Sequence, residues 1–263
     1  MPRPNPEYLE EYYAGGGSPH SRSIRSYAAS EAYRKVLQDE RDYPNAAIDS
    51  TRIAAYCRSL ALGNGFLDIG AGYGFFSRAA LERGFHVTAI EPSKICRDVC
   101  WLMNGLEALP GMLARDFVQA NSGSFDVVLM SQVLEHTADV ESTVGHLGDL
   151  LRPNGIAAIA VPHFGSWLSR LQGKRDMFMV PPEHLNFFSR AGLTKLFERH
   201  RLMCCELHTI SRIDVSRVSK RIPVPLVGRA ASLCTLALLR ISDRVNGGMF
   251  INAYFRKLAP SPL

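Results

Sequence analysis

Short apolar runs alternate with amphipathic stretches through the middle of the chain. The apolar runs predict strands, and the stretches between them predict helices over 75–83, 93–106 and 139–151. The strands are near-continuous in hydrophobicity, which is typical of a parallel sheet covered on both faces. Strands and helices that alternate at this spacing predict a doubly wound α/β domain. The predicted strands cover 65–70, 86–90, 112–114, 125–130 and 156–161.

The flanking regions are less regular. Residues 1–22 are rich in Pro, Gly and Ser and are expected to form a flexible arm or lid, followed by a helical stretch over 28–60. Beyond the alternating region, the pattern predicts a helix over 189–200 with Ser189 as its N-cap, and strands over 203–210 and 249–255. The expected organisation is an N-terminal arm and helical cap (1–60), a core (61–212), an insertion (213–247) and a last core strand with the C-terminal tail (248–263).

Composition narrows the class of protein. The chain has 263 residues, of which 46% are apolar and 21% charged, so collagen-like, disordered and disulfide-scaffold proteins are excluded. It contains no apolar stretch of membrane-spanning length, and its N-terminus lacks the basic-then-apolar order of a signal peptide. The six cysteines form no CxxC pair and are expected to be reduced thiols. The expected location is the cytoplasm.

Basic residues are concentrated at the end of the chain. The net charge is +5, but nine basic residues accompany two acidic ones from Arg212 onward. Residues 213–247 contain the cluster Arg217, Lys220 and Arg221, followed by an amphipathic helix. One interpretation is a helix that contacts an anionic membrane, peripheral to its inner face. The other is a lid that packs on the domain or on a second subunit, and either a monomer or a homodimer is compatible with it. Because the tail lacks interleaved aromatics, nucleic-acid binding is not expected.

Three glycines mark the strongest candidate site. An apolar strand ends at Gly70, and Gly72 and Gly74 follow at once before a predicted helix. Such glycines permit a tight turn and a close approach of the backbone to a ligand, and the helix N-terminus offers free N–H groups. Glu91 ends the next strand, 21 residues after Gly70, where a carboxylate can accept hydrogen bonds from ribose hydroxyls. A nucleotide-like ligand is therefore expected at the carboxyl ends of these strands.

The GxGxG spacing, with Asp68 two residues ahead of it, differs from the GxGxxG of dinucleotide sites. It resembles the class I S-adenosylmethionine-dependent methyltransferases, in particular a small-molecule subfamily like the ubiquinone-pathway enzymes. Further segments resemble that family in order and spacing over residues 60–211 and the final strand. These segments are Asp116-Phe117, Ser124 to Val128, Gln132 to His136, Leu151 to Gly155, and Pro182 to Ser189.

The resemblance implies a Rossmann-like seven-stranded sheet, mostly parallel, with an antiparallel last strand. It implies S-adenosyl-L-methionine as cofactor, with S-adenosyl-L-homocysteine as product. Asp68 either contacts the amino acid end of the cofactor or fixes the glycine loop by hydrogen bonding. The expected cofactor-binding residues are Asp68, Gly70, Ala71, Gly72, Tyr73, Gly74, Glu91, Pro92, Asp116, Phe117 and Gln132.

The candidate catalytic residues are two histidines. His136 follows Glu135 just past the fourth strand and could take a proton from an acceptor hydroxyl. Alternatively, Glu135 and His136 cap the next helix or hold the loop. His184, near Asn186, either faces the acceptor or supports its own loop. Glu135, His136 and His184 can be imagined as metal ligands, but no fixed spacing requires this, and no metal is expected.

The expected function is methyl transfer to a small-molecule acceptor. The expected reaction is O-methylation of a sugar, a phenol or a lipid-linked intermediate. The choice of oxygen rests on the subfamily resemblance. An alternative from another class is a non-catalytic cofactor-binding regulator or scaffold with a closed acceptor pocket. An NAD-dependent oxidoreductase ranks third, because the glycine spacing departs from the NAD pattern.

Overall fold

A computed structural model describes residues 4–42, 44–180, 183–212 and 225–259. Its centre is a seven-stranded sheet with the order β3-β2-β1-β4-β5-β7-β6. Strands β1 to β5 are parallel, and β7 lies antiparallel between β5 and β6. The expected mostly parallel sheet with an antiparallel last strand is confirmed. The strands are β1 (Gly65–Ile69), β2 (His86–Glu91), β3 (Leu109–Pro110), β4 (Phe125–Ser131), β5 (Leu151–Pro162), β6 (Leu202–Ile210) and β7 (Phe250–Lys257).

Eleven α-helices in the described ranges surround the sheet. Four precede the first strand: α1 (Pro6–Ala14), α2 (Pro19–Ile24), α3 (Ala29–Asp42) and α4 (Ala46–Leu60). Five connect strands β1 to β6 or follow their ends: α5 (Phe75–Leu81), α6 (Lys94–Asn104), α7 (Arg115–Ala120), α8 (Val140–Leu150) and α9 (Trp167–Gln172). The last two are α10 (Arg190–Arg199) and α11 (Pro225–Arg244). The predicted Ser189 N-cap of α10 is confirmed, because its side chain accepts from the Gly192 N–H.

The apolar strands are buried on both faces of the sheet. Neighbouring residues such as Val127 and Val128 belong to two different core clusters, because successive side chains of a strand point to opposite faces. One cluster packs under α8 and α10 and includes Leu147 and Phe197. The other includes Cys57 of α4 and packs against that helix and α5. Near-continuous hydrophobicity in the strands follows from this double coverage.

The N-terminal segment differs from the expected flexible arm. Residues 6–14 and 19–24 are helical, and Leu9 and Tyr13 are buried. Asn5 and Ser18 cap the two helices with their side chains, and a proline follows each cap at the first helical position. Both are ordinary helix-start signals, which the glycines between the helices obscured. The predicted helix over 28–60 is likewise divided into α3 and α4.

The third strand also differs from the prediction. It is Leu109–Pro110, paired with Ile90 and Glu91, and not 112–114. Gly111 follows with a φ of +102°, a left-handed conformation that ends the extended run. Residues 112–114 instead form a loop along the cavity described below.

The insertion is described from residue 225 onward; the cluster Arg217, Lys220 and Arg221 lies outside the described residues. Helix α11 contacts β6, but Val227, Leu233, Leu238 and Ile241 are exposed. The lid interpretation expected the apolar face of this helix to pack on the domain or on a second subunit. In the single chain, these four side chains are not packed on the domain. No helix in the described part of the chain is long and apolar enough to span a membrane.

Candidate active site

A cavity of about 840 Å³ opens at the carboxyl ends of β1, β2 and β4. β1 lies between β2 and β4, so the loops that follow all three strands converge there. This is the position at which open α/β sheets bind ligands. The predicted residues that line the cavity are Gly70, Ala71, Gly72, Tyr73, Glu91, Pro92, Gln132, His136 and His184.

The need for glycine has a different physical reason at each of the three positions. Each has a positive φ: +72° at Gly70, +55° at Gly72 and +85° at Gly74. A Cβ at Gly70 would lie 2.4 Å from Cγ2 of Val133, in the loop after β4, so only glycine lets the two loops approach. A Cβ at Gly74 would lie 2.6 Å from Sγ of Cys100 in α6. Gly72 has no protein atom within 4 Å of such a Cβ, and it lines the cavity.

Glu91 ties the glycine loop to the end of β2. Its carboxylate accepts from the Gly72 N–H at 2.9 Å and from the Ser93 N–H at 2.8 Å. Burial raises the pKa of Glu91, while those two backbone N–H groups and the nearby Arg97 oppose the rise. A carboxylate has about four acceptor positions, so Glu91 keeps capacity for a ligand in the cavity it lines.

Asp68 lies beneath the loop and is not among the cavity-lining residues. It is buried, and its carboxylate accepts from the Ser77 hydroxyl of α5 at 2.7 Å. Burial raises the pKa of Asp68 to about 6, against the opposing effect of the Ser77 hydrogen bond. Of the two roles proposed from sequence, this geometry favours fixing the start of α5 behind the glycine loop.

The structure does not bring Asp116 and Phe117 to the cavity. Asp116 is exposed in the first turn of α7, and Phe117 packs against the core beside Phe125. The cavity is lined at this edge by the preceding loop, Gly111 to Ala114. The third strand begins three residues and ends four residues earlier than predicted, so the pair that was expected to follow it directly lies instead in the first turn of α7. Gln132 does line the cavity, with a φ of +56°.

Glu135, His136 and His184 form a polar cluster at the other side of the cavity. Glu135 and His136 belong to the 3-10 turn Leu134–His136 after β4, and His184 comes from the loop before α10. The two imidazole rings meet edge to face with centroids 4.8 Å apart. Asn186 anchors this arrangement, because its amide donates to the Thr137 carbonyl at 2.7 Å. His184 also supports its own loop, because its Nδ1 lies 2.7 Å from the carbonyl oxygen of Phe178.

Burial shifts the charge states of this cluster. Burial lowers the pKa of His136 to about 4, with smaller effects from its contact with the Glu183 backbone and from His184. Burial raises the pKa of Glu135 to about 8. Neither carboxylate oxygen of Glu135 accepts a hydrogen bond from another described residue. Burial therefore favours the neutral forms of His136 and Glu135, and the carboxyl oxygens of Glu135 are left for a ligand.

The N-terminal helices lie over this cluster, a placement that the lid alternative for residues 1–22 allowed, but the sequence did not indicate which residues they contact. Tyr12 donates its hydroxyl to Glu183 at 3.1 Å, and Arg22 forms an ion pair with the same carboxylate at 2.5 Å. Tyr13 packs edge to face on His136 with ring centroids 5.7 Å apart. The sequence contains the tyrosines and the helix caps, but nothing in it specifies that α1 and α2 pack against the loop of Glu183.

Comparisons with known proteins agree with this geometry. A family model described as a methyltransferase domain matches residues 39–203. A ubiquinone biosynthesis O-methyltransferase of Aromatoleum aromaticum is 35% identical over 166 residues, which cover 59% of this chain and 71% of that protein. The C-methyltransferase NovU of Streptomyces niveus is 24% identical over 188 residues, covering 70% of this chain and 41% of NovU.

A solved structure has the same fold. The S-adenosylmethionine-dependent methyltransferase of Archaeoglobus fulgidus superposes with a TM-score of 0.59 at 15% identity. The match covers 84% of this chain and 99% of that one. At this identity the likeness establishes the fold and leaves the acceptor open.

The buried Asp68 predicts a pH dependence of stability. Its folded pKa of about 6 lies above the ordinary aspartate value of 3.8, so the folded state holds its proton more tightly. The stabilisation is complete below the unfolded pKa and is lost as pH rises through the folded pKa of about 6. Relative to Asp68→Asn, the free energy of unfolding should fall by about 2–3 kcal/mol between pH 4 and pH 7. Urea unfolding of both proteins across this pH range measures the change. A difference in unfolding free energy between the two proteins that does not vary with pH would contradict the prediction.

Proposed function

This chain belongs to the methyltransferase domain family, and we propose that it transfers a methyl group from S-adenosylmethionine to a hydroxyl oxygen of a small-molecule acceptor. The observation that carries the proposal is one continuous cavity. The glycine loop and Glu91 line one part of it, and Glu135, His136 and His184 line another. Its volume of about 840 Å³ is near the upper end for small-molecule sites, which suits a cofactor together with an acceptor.

The glycine-loop side suits the cofactor. Gly72 leaves open space where any side chain would project, so a ligand can approach the backbone there. Glu91, held by two backbone N–H groups, has acceptor capacity left for ribose hydroxyls. Tyr73, Pro92 and Gln132 would complete the walls around the cofactor. In this proposal Asp68 and Gly74 act from behind the loop.

When bound, S-adenosylmethionine supplies a methyl group already activated by its positive sulfur. The remaining task of the protein is to align the acceptor oxygen and to exclude water. Helices α1 and α2 lie over the polar cluster through Tyr13 and the Glu183 contacts, which supports the second task. The side chains of Glu135, His136 and His184 would meet the acceptor hydroxyl and orient it.

The lining favours an aromatic or lipid-like acceptor over a free sugar. The same cavity is also lined by residues that present mainly apolar surface, namely Leu9, Tyr13, Ile53, Phe178 and Phe250. Phe178 and Phe250 pack with ring centroids 5.1 Å apart. A sugar would bring several hydroxyl groups into the cavity. Each hydroxyl group that faces an apolar wall would lose its hydrogen bonds to water without gaining a new one, which lowers the affinity. A phenol, or a ring attached to a lipid, brings one or two.

A non-catalytic regulator remains the alternative function. It would bind the cofactor but lack an accessible acceptor pocket. The size of the cavity and the polar groups in it favour turnover, and the experiments below separate the two.

The cofactor site predicts a specific effect of Gly72. Gly72→Ala should weaken S-adenosylmethionine binding at least about tenfold, because the added methyl group would occupy space at the cofactor surface. Gly84→Ala is the matched control, since Gly84 has a φ of +78° and also has no atom within 4 Å of an added Cβ. Both variants should lose about 1 kcal/mol of stability from the left-handed backbone. Calorimetric titration measures the affinity; equal affinities of the two variants would reject the site.

Turnover provides the test of the reaction. Purified protein should convert S-adenosylmethionine to S-adenosylhomocysteine in the presence of phenolic or lipid-linked phenolic acceptors, and more slowly with sugars. His136→Gln should lower kcat at least about 100-fold with the cofactor Kd unchanged, because His136 faces the acceptor. His86→Gln, at an exposed position at the start of β2, is the control. Cofactor binding without turnover across the acceptor panel would support the regulator.

We further propose peripheral contact of α11 with an anionic membrane. Leu233 and Leu238 are 68% and 60% exposed, and Arg240 and Arg244 are exposed on the same helix. Apolar and basic side chains on one surface helix suit a charged lipid interface. The same side chains would also suit contact with a second subunit. Hydrodynamic measurement of the oligomeric state distinguishes a dimer from membrane contact.

Vesicle sedimentation tests this contact. The protein should sediment with vesicles that contain phosphatidylglycerol and not with neutral phosphatidylcholine vesicles. Changing Leu233 and Leu238 to Asp should reduce binding at least about tenfold. Leu62→Asp is the control, because Leu62 is 79% exposed and lies outside α11. Wild-type protein that stays in the supernatant contradicts the proposal, and a dimer that the double variant dissociates would assign the surface to a second copy.

A further inference from the structure

We propose that Glu135, His136 and His184 form a binding site for a divalent transition-metal ion. One ligand atom from each side chain can be chosen so that all three lie within 4.8 Å of one another. The three residues line the same cavity and come from two separate segments, the turn after β4 and the loop before α10. The sequence places His184 nearly fifty residues from His136, and only the tertiary structure brings them together.

The hydrogen bonds of the two histidines fix which nitrogen is available. Nδ1 of His136 lies 2.7 Å from the carbonyl oxygen of Glu183, and Nδ1 of His184 lies 2.7 Å from that of Phe178. A carbonyl oxygen only accepts, so Nδ1 of each ring carries the hydrogen. In the neutral form of each ring, Nε2 then keeps its lone pair for a metal ion. Backbone carbonyls orient metal-binding histidines in this way in many metal sites.

The buried carboxylate of Glu135 provides a second, independent observation in favour of a metal site. Its side chain is 1% exposed, and neither carboxylate oxygen has a hydrogen-bond partner among the described residues. Leaving a buried polar group without a partner is costly, and native structures rarely do so without a reason. A cation between Glu135 and the two imidazoles would satisfy this carboxylate. The main-chain carbonyl of Glu135 already accepts from the Leu185 and Asn186 N–H groups, so the backbone of this turn is held in place.

The donor set indicates the class of ion. Two imidazole nitrogens and one carboxylate oxygen suit zinc and neighbouring transition metals, whereas calcium and magnesium prefer oxygen ligands. Three protein ligands leave at least one coordination position open, as in catalytic sites. With bonds of about 2.1 Å, a tetrahedral ion separates its ligand atoms by about 3.4 Å. Side-chain shifts of about 1 Å would bring the three groups to that separation.

The site would also link metal binding to closure of the N-terminal helices. The loop of His184 carries Glu183, which Tyr12 and Arg22 contact from α1 and α2. An ion that fixes His184 would therefore hold the loop on which these helices rest. Its open coordination position would face the acceptor part of the cavity, where a bound hydroxyl oxygen would lose its proton more easily. This last role rests on the proposed function, whereas the binding of the ion does not.

Binding to the full-length protein tests the proposal without any methyl transfer. After chelator treatment, one Co²⁺ per chain should bind and give a visible d–d absorption spectrum, which Zn²⁺ should abolish by displacement. Glu135→Gln and His184→Gln should each weaken Co²⁺ binding at least about tenfold. His200→Gln should leave it unchanged; His200 pairs with Glu141 at 2.9 Å on the surface, a histidine–carboxylate pair outside the cavity.

Several results would overturn the proposal. They are less than stoichiometric Co²⁺ binding by the wild-type protein, or unchanged binding by both ligand variants. Intense near-ultraviolet absorption from thiolate ligation would place the ion on an exposed cysteine, Cys205 or Cys234, and would also overturn it. Cofactor titration of each variant shows whether it has folded, and His184, which is only partly buried, is the milder change.

The outcomes for the metal and for the reaction are separable. Metal bound at this cluster with no acceptor methylated would retain the site and reject the proposed function. Methyl transfer at full rate by metal-free protein that still binds one Co²⁺ per chain would retain both the function and the site and would reject only the role of the ion in the reaction. Methyl transfer by protein that binds no Co²⁺ would retain the function and reject the site.

Discussion

The parallel pairing of β1 with both β2 and β4 is the constraint on which the site depends. It places the ends of three strands at one edge, where Gly70 and Gln132 directly follow β1 and β4 and Glu91 is the last residue of β2. The loops after β1 and β4 then approach so closely that a methyl group at Gly70 would meet Val133 at 2.4 Å. A positive φ at both Gly70 and Gln132 lets the chain turn away from the sheet at this point. The cavity is the space these turns enclose.

Buried carboxylates stabilise this edge in two ways. Glu91 accepts two backbone N–H groups and so fixes the glycine loop relative to α6. Asp68 holds the start of α5 through Ser77. Both act on the glycine-loop side of the cavity, which we propose binds the cofactor, and both have hydrogen-bond partners. Glu135 differs, because its carboxylate is equally buried but has no such partner among the described residues. That contrast separates groups that support the fold from one that is available to a ligand.

The polar-cluster side of the cavity, which we propose receives the acceptor, depends on contacts between segments that are distant in sequence. The loop of residues 183–186 binds the turn of Glu135 through backbone and Asn186 hydrogen bonds. Glu183 then receives Tyr12 and Arg22 from the N-terminal helices. Access to His136 is thus controlled by three segments that share no local motif.

The sequence alone determined the α/β alternation, the parallel sheet, the Ser189 cap and the location of the glycine loop with Glu91. These features are local, since hydrophobic period, cap residues and glycine spacing depend on near neighbours in the chain. It misplaced β3, and with it Asp116 and Phe117, because two residues of strand carry too little periodicity to locate. It also missed the helices α1 and α2, whose Asn5 and Ser18 caps were readable but stood among glycines and prolines.

Only the tertiary structure decided how His136, His184 and Glu135 relate. Their meeting depends on where the loop before α10 packs, and that packing is set by long-range contacts such as Asn186 with Thr137. Burial, which shifts the pKa values of Glu135 and His136 in opposite directions, likewise depends on the whole surrounding fold. The sequence could name these residues as candidates, but their distances and charge states arise from packing between segments far apart in the chain.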